Sequence, residues 1–549
     1  MVGTPSGCHT APAVGILAAS LGAKTAKRMT RLKIRWKKAL LWTGTALLAL
    51  AASGLLLADH LYPPASGTPS TVLPIRPGQT ELDRELEPIL ARHPGETGVL
   101  LLGDGLDAFA ARALSARKAG RSLDLQYYIW HDDLTGRLLG REAWRAAERG
   151  VRVRILLDDM NARGMDSKLL LLDGHPNIEI RLYNPFRNRD GIGRLLELVQ
   201  RGFSLNHRMH NKAWIADNRV AVVGGRNIGV EYFEAGKDVN FRDLDMLMFG
   251  PAVQQASTSF DAYWNSSAAV PLATLAEGTR ADFAKLMRTI EAEAGGPAAS
   301  AYMARLEASR NFRDYAGERL VPLWTTRLRV VADPPVKWKD EPHDDWLVDH
   351  IARDISSARH KALIISPYFV PGDAGTEAMT ALVKRGVQVG VVTNSLAAND
   401  VGMVYGAYSG YRPTLLAGGV QLYELRAQAN IDGSLFGSSG ASLHTKAYSV
   451  DDQRGFIGSF NLDPRSAWLN TEMGVFFDDP ALAVAVRNEY LRLAAPGVSY
   501  WVHLGRDGDV RWLDRAATPQ QLLDTAPHTT LWGRASTRVI SWLPIESQL

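Results

Sequence analysis

Apolar and polar positions alternate along this chain in blocks whose period changes. Residues 123–130 alternate as a strand, 137–149 carry a helical period, and 151–158 return to a strand, which predicts a βαβ unit. Strand periods recur at 362–368 and 387–393, more than two hundred residues on. Between the two blocks, 272–315 reads as helical and predicts a helical connection. Residues 500–504 and 510–513 flank Gly505-Arg506-Asp507-Gly508 and predict a hairpin. Near the start, residues 39–58 are uncharged and mostly apolar, twenty in a row and long enough to span a bilayer.

The recurrence of periods is matched by a recurrence of motifs. His210-Asn211-Lys212 with Asp217 returns as His444-Thr445-Lys446 with Asp451, at an offset of 234. Gly224-Gly225-Arg226-Asn227 follows the first copy and Gly458-Ser459-Phe460-Asn461 the second. Arg149-Gly150-Val151 recurs as Arg385-Gly386-Val387, and Gly250-Pro251-Ala252 has a counterpart in Asp479-Pro480-Ala481. Offsets that drift slowly around one value indicate a duplicated domain with small loop insertions.

In a strand over 208–216, His210 and Lys212 share one face. Asp217-Asn218 reads as a two-residue turn, because Asx residues tolerate left-handed backbone. Pairing about that turn sets His210 opposite Gly225 and His444 opposite Ser459, with Asn227 and Asn461 two positions further on the same face. Small Gly225 and Ser459 leave room for a ligand atom. A point cation, an amide donor and a nucleophile together suit a phosphate. Two such faces meeting would let one imidazole attack phosphorus while the other protonates the leaving oxygen, with Lys212, Lys446, Asn227 and Asn461 taking the oxygen charge. Each imidazole then needs an acceptor on its other nitrogen. Aligning Pro251 with Pro480 and counting back eight residues gives Asp243 and Glu472, with Asp245 a near alternative. Asp217 and Asp451 are read as structural turn residues. Tyr127, Tyr128, Tyr368 and Phe369 lie near strand ends, where they either line the site or pack in the core. Arg226 either meets an anionic substrate or is solvated, and His207 is a surface or packing residue.

The paired motifs resemble those of the phospholipase D superfamily from about Val99 onward. Residues 122–131, 224–233, 263–266, 366–372 and 543–549 are similar to the type C branch of bacterial cardiolipin synthases. The resemblance implies an α/β fold of two phospholipase D-like α/β/α sandwich domains sharing one site, a phosphohistidine intermediate and phospholipid substrates. It implies transfer of a phosphatidyl group to phosphatidylglycerol, with phosphatidylethanolamine as the donor associated with that branch, and it favours the N-terminal histidine, His210, as nucleophile. Tyr405 stands where the pattern leads one to expect a histidine, which bears on acceptor details.

With 549 residues, 46% hydrophobic and 22% charged, the chain can bury two sizeable cores. A net charge of +4 is too small to argue for nucleic acid. Eight Lys or Arg and no acid lie between Lys24 and Lys38, which predicts a cytoplasmic N-terminal flank and a body across the membrane. The apolar stretch exceeds the roughly 7–15-residue core of a signal peptide, which favours an anchor. The sole cysteine, Cys8, leaves the body without a disulfide. No clustered metal site is visible in sequence, and neither metal nor cofactor is expected. The expected division is a basic leader over 1–38, an N-terminal transmembrane helix over 39–58 and a linker over 59–98. A first domain follows over 99–270, a helical connection over 271–325, a second domain over 326–498 and a hairpin with tail over 499–549. The expected protein is an enzyme in the inner membrane, single-pass, with phospholipids as partners. The tail, with Trp532 and Trp542, either touches headgroups or packs on the body. Hydrolysis to phosphatidic acid is the alternative outcome. A nuclease is disfavoured by the mild charge and the two motifs in one chain, and a non-catalytic scaffold by the completeness of both motifs.

Overall fold

The computed structural model describes residues 36–38, 41–47, 49–50, 53, 67–276, 283–309, 321–339, 345–399, 401–427 and 440–540. The chain divides into two units, Met1–Pro64 and Ala65–Leu549. In the first unit the described residues are helical and mostly exposed. The expected membrane-crossing segment over 39–58 lies largely outside the described residues, and among those described no helix is long and apolar enough to cross a membrane.

The second unit is built on two sheets of one plan. The first runs in the order Leu323–Thr325, Thr97–Leu102, Asp245–Phe249, Val220–Gly224, Ala213–Ala216, Ser122–Tyr127, Arg152–Asp158, Ile178–Tyr183, Ala269–Pro271. The second runs Leu328–Ala332, Met473–Phe477, Arg454–Gly458, Ala447–Val450, Lys361–Ile365, Gln388–Asn394, Gln421–Leu425, Ser499–Leu504, Val510–Asp514, Gln521–Leu523. From Thr97–Leu102 and Leu328–Ala332 onward eight strands correspond one to one, and Val510–Asp514 and Gln521–Leu523 extend the second sheet beyond them. In each sheet three central strands are parallel, joined through helices as βαβ units require, and the flanking pairs are antiparallel. The hairpin about Gly505–Gly508 pairs Leu504 with Val510.

Strand alternation sorts side chains into three cores. Ala213 and Ile215 point into a central core that both sheets share, while Trp214 and Ala216 point to the outer face of the first sheet. In the second sheet Ala447 and Ile457 face the same central core, and Tyr448, Val450 and Phe456 face outward. The helices Pro251–Trp264 and Pro480–Leu493 fill the central core. Gly105–Lys118 and Leu134–Glu148 cover the outer face of the first sheet, and Leu347–Ser356, Gly372–Lys384 and Gly402–Ala417 that of the second. Phe283–Ala294 and Pro297–Ala308 form the described part of the helical connection; 277–282 and 310–320 lie outside the described residues. Leu531–Ile540 packs on Gly402–Ala417, where Gly406 lets Ile540 approach closely, while residue 542 of the tail lies outside the described residues.

The motif hairpins depart from expectation by one residue. Asp217 and Asn218 are left-handed, at φ 54° and 57°, as are Asp451 and Asp452 at 55°. However, Ala216 pairs with Val220 and Val450 with Arg454, so Arg219 and Gln453 are extra residues. Such a bulge lets the return strand twist without losing the turn, and it shifts the register by one. The first strand covers only Ala213–Ala216, not 208–216, and His210 is therefore not paired with Gly225.

Candidate active site

What holds His210 is the other half of the molecule. Its backbone N–H donates to the Thr471 carbonyl at 2.9 Å, and Thr471 N–H donates to the Arg208 carbonyl at 2.9 Å. Its Nδ1 lies 2.8 Å from Glu472 Oε2 and 3.0 Å from Oε1. The second histidine repeats the arrangement in reverse. Gly440–Leu443 pairs in parallel with Val239–Arg242 of the first half, and His444 N–H donates to the Arg242 carbonyl at 2.7 Å. His444 Nδ1 then lies 2.5 Å from Asp243 Oδ2. Each histidine is thus oriented by a carboxylate from the opposite copy. Asp245 does not share this task; it is buried between Arg112 and Arg226. Arg226 is neither solvated nor open to a ligand, since it is buried and also bonds the Tyr232 carbonyl.

The two small residues serve the carboxylates. A Cβ on Gly225 would lie 2.5 Å from Asp243 Oδ1, so the space expected for a ligand is filled by that carboxylate. Ser459, its counterpart, donates its hydroxyl to Glu472. Asn227 is also engaged within the protein: its Oδ1 accepts from Ile129 N–H at 3.2 Å and its Nδ2 donates to the Tyr232 hydroxyl at 3.0 Å. Asn461 is buried, and its Oδ1 has no protein partner. Lys212 and Lys446 are buried, with each ammonium at the carbonyl of its own histidine, 2.6 and 2.5 Å away.

Burial, with Lys212 and Lys446 adding to it, pushes the His210 imidazole well below its ordinary value. Burial, then Lys446 and Lys212, does the same to His444. Burial lowers Lys212 to about 7 against the opposing pull of Glu472. The same burial lifts Glu472 to about 7, opposed by Lys212, and raises Asp243. The resting imidazoles are therefore neutral, the form a nucleophile needs.

Asp217 accepts from the N–H groups of Gly120, Arg121 and Ser122, and Asp451 from those of Arg359, His360 and Lys361. Both motif aspartates thus pin the loop that enters the neighbouring strand. Tyr128 stands edge-on to His210 at 5.0 Å and lies 5.5 Å from the Lys212 ammonium. The rings packed on His444 are those of Tyr232 and Phe241, at 5.2 and 5.3 Å. Tyr368 is half-buried, its carbonyl accepting from Ser366. Tyr127 and Phe369 are core residues, and His207 stacks on Trp338. Tyr405 is buried against Arg412 and Glu424.

Sequence reasoning missed Tyr232, Phe241 and Asp333. Asp333 Oδ2 accepts the Glu472 N–H at 2.9 Å and the Lys337 ammonium at 2.9 Å, fixing the backbone that carries Glu472. The spacing of Tyr232 five residues after Asn227 was the available signal for the first. His131, Asp133 and Glu231 also meet, with ligand atoms within 4.8 Å, where no cluster was visible in sequence. Asp133 there caps the helix Leu134–Glu148, and Glu231 lies 3.1 Å from His131 Nδ1.

Two α/β sheets contributing one histidine each to a shared site define a two-motif phospholipase D-like protein. The family model for the cardiolipin synthase, phospholipase D-like domain matches residues 115–264 and 351–494. Cardiolipin synthase C of Escherichia coli K12 is 41% identical over 468 residues, covering 84% of this chain and 98% of that protein. An uncharacterized protein of Helicobacter pylori 26695 is 35% identical over 407 residues, covering 72% of this chain and 79% of that protein. The solved phosphatidylserine synthase of Haemophilus influenzae Rd KW20 shares the fold, with a TM-score of 0.54 at 14% identity over 85% of this chain and 99% of that one. The chain belongs to the phospholipase D-like cardiolipin synthase family of phosphatidyltransferases.

Proposed function

We propose that the protein makes cardiolipin by moving a phosphatidyl group onto the free hydroxyl of phosphatidylglycerol, through a phosphohistidine. The observation that carries this reading is the crossed pair of His–carboxylate contacts, His210 with Glu472 and His444 with Asp243. A carboxylate on Nδ1 keeps the proton there and leaves Nε2 as the reacting nitrogen. His210 Nε2 attacks phosphorus of the donor lipid, forming a P–N bond as the P–O bond to the leaving headgroup breaks. His444, which takes up a proton on Nε2 as the anionic phosphate binds beside it, passes that proton to the leaving oxygen and returns to neutral. It then takes the proton of the incoming glycerol hydroxyl, whose oxygen displaces His210 and restores both imidazoles. Lys212 and Lys446 stabilise the charge on the phosphoryl oxygens, and the buried Asn461 adds its amide N–H to them. Tyr128 shapes the first imidazole's surroundings. Residues 39–58 form a single-pass anchor that keeps the body at the bacterial inner membrane, and the donor is phosphatidylethanolamine or a second phosphatidylglycerol.

Product analysis by mass spectrometry tests this. Purified protein is given phosphatidylglycerol with and without phosphatidylethanolamine, beside His210→Ala and His444→Ala. Cardiolipin from the intact protein alone supports transfer, and dependence on phosphatidylethanolamine identifies the donor. Phosphatidic acid without cardiolipin, or substantial turnover in either variant, overturns the scheme. Label from phosphate-radioactive lipid that survives an alkaline denaturing quench in His444→Ala and is lost in His210→Ala assigns the nucleophile.

A further inference from the structure

Between the first half's last parallel strand and the His210 segment lies the helix Gly191–Leu205, and its polarity is inverted. Ile192, Leu195, Leu196 and Val199 fall at i, i+3, i+4 and i+7, the stripe that an amphipathic helix turns to a core. Here the stripe faces out: Ile192 is 78% exposed, Leu195 61%, Leu196 50% and Val199 75%, with Leu198 beside them at 50%. The helix's one carboxylate, Glu197, faces inward and is 4% exposed. It accepts from the N–H groups of Arg187 and Asn188 at 2.9 Å each and pairs with Arg201 at 2.5 Å. Buried bonds thus hold the helix with its apolar side outward.

Five large exposed apolar side chains on one short helix form the kind of patch that marks an interaction surface. We propose that Gly191–Leu205 lies in the headgroup layer of an anionic bilayer and delivers phospholipid to His210. The inference rests on the lipid-substrate reading above. Three observations favour a lipid surface as occupant. Between residues 187 and 201 there are four arginines against two acids; Arg189 pairs with Asp159 and Asp166 and Arg201 with Glu197, while Arg194 stands beside the stripe, which suits anionic lipid there. Arg194 lies over the Phe186 ring at 3.8 Å and flanks that stripe. The helix is also tied to the segment that carries His210. Asn184 bonds the Ser204 carbonyl at 2.7 Å, and Arg208 bonds the Leu205 carbonyl. Asp158 takes the Met209 N–H at 2.9 Å, immediately before His210. His210 comes five positions after Leu205, a span of at most about 18 Å. A lipid whose acyl chains stay beside the helix can therefore present its phosphate to the buried imidazoles.

The test uses the full chain with its single cysteine removed (Cys8→Ser) and a new one introduced at Leu195 (Leu195→Cys), labelled with bimane. The protein is reconstituted in vesicles of phosphatidylglycerol and phosphatidylethanolamine, with Asp509→Cys on the exposed hairpin as control. The label at 195 should be quenched by lipids brominated in the acyl chain and should be at least fivefold less accessible to aqueous iodide than the label at 509. Equal iodide quenching at both positions overturns the proposal. So does a 195 label shielded from both quenchers in a chain that sediments as a dimer, because the occupant is then a second copy. The double variant Leu195→Glu/Val199→Glu should lose tenfold or more turnover on vesicle phosphatidylglycerol, yet stay within twofold of the parent on short-chain, monomeric phosphatidylglycerol. Equal loss on both substrates overturns the docking role. Acyl-chain quenching at 195 in a protein that converts neither lipid upholds the docking and refutes the functional reading instead.

Discussion

Glu472→Gln isolates what the crossed carboxylate does. The substitution keeps size and shape. Gln Oε1 can still accept from His210 Nδ1–H, its Nε2 can face Ser459 Oγ, and Ser459 can turn its proton to the Met473 carbonyl at 3.1 Å. What disappears is a negative charge beside an imidazole that becomes cationic when it bonds phosphorus. With the charges about 4 Å apart and an effective dielectric of about 20, that charge contributes about 4 kcal/mol. Since the amide retains one hydrogen bond, part of this remains, and kcat should fall about a hundred- to a thousandfold with little change in KM. Steady-state kinetics on dispersed lipid, with circular dichroism to establish folding, measure this. A folded Glu472→Gln protein within threefold of the parent kcat would refute the positioning role, and with it the crossed architecture as the source of orientation.

Other expectations follow from the same geometry. Gly225→Ser places a Cβ against Asp243 and should cost more than about a hundredfold in kcat by displacing the partner of His444; Gly225→Ser with Asp243→Glu copies the Ser459–Glu472 pair and should recover part of it, and a single variant at full kcat would sink the idea. Asp217→Ala leaves three backbone donors without their carboxylate and should cost roughly 3 kcal/mol in thermal unfolding, while Asp217→Asn, which tolerates the left-handed backbone, should cost less; equal melting of all three proteins would contradict the anchoring role. The rate profile with pH should be bell-shaped near neutrality, because Glu472, raised to about 7, ionises only as pH rises through that value, and Lys212, lowered to about 7, loses its charge over the same range. In Glu472→Gln the acid limb should vanish and the alkaline limb move to lower pH, since Lys212 loses the anion that holds its proton; a profile unchanged by the substitution would reject that assignment.

Much of the site was legible because its parts repeat. His210, Lys212, His444 and Lys446 stand out by their doubled spacing, and the proline alignment reached Asp243 and Glu472 by counting alone. Counting cannot say which carboxylate meets which histidine, since that depends on how two sheets dock across a shared core. Nor did turn chemistry predict the bulges at Arg219 and Gln453, as two left-handed Asx residues are compatible with either register. Tyr232 and Phe241 escaped because aromatic residues near strand ends are as often core as lining. Arg226 was misjudged for a related reason: its partner Asp245 is nineteen residues away in sequence and adjacent only in the folded sheet. Periodicity marks an apolar stripe in Gly191–Leu205 but not the direction it faces, which Glu197 settles through bonds to a loop.

The crossed contacts also impose an order on synthesis. The chain is made from its N-terminus, and His210 meets its carboxylate only once a residue 262 positions later has been added and docked. His444 has its carboxylate waiting, 201 positions upstream, but folds into place at nearly the same late moment. A ribosome-bound fragment carrying the first motif therefore holds an imidazole with no fixed orientation. Reactivity towards lipid phosphates switches on only when the second copy closes over the first, so the nascent chain is chemically silent until both are made.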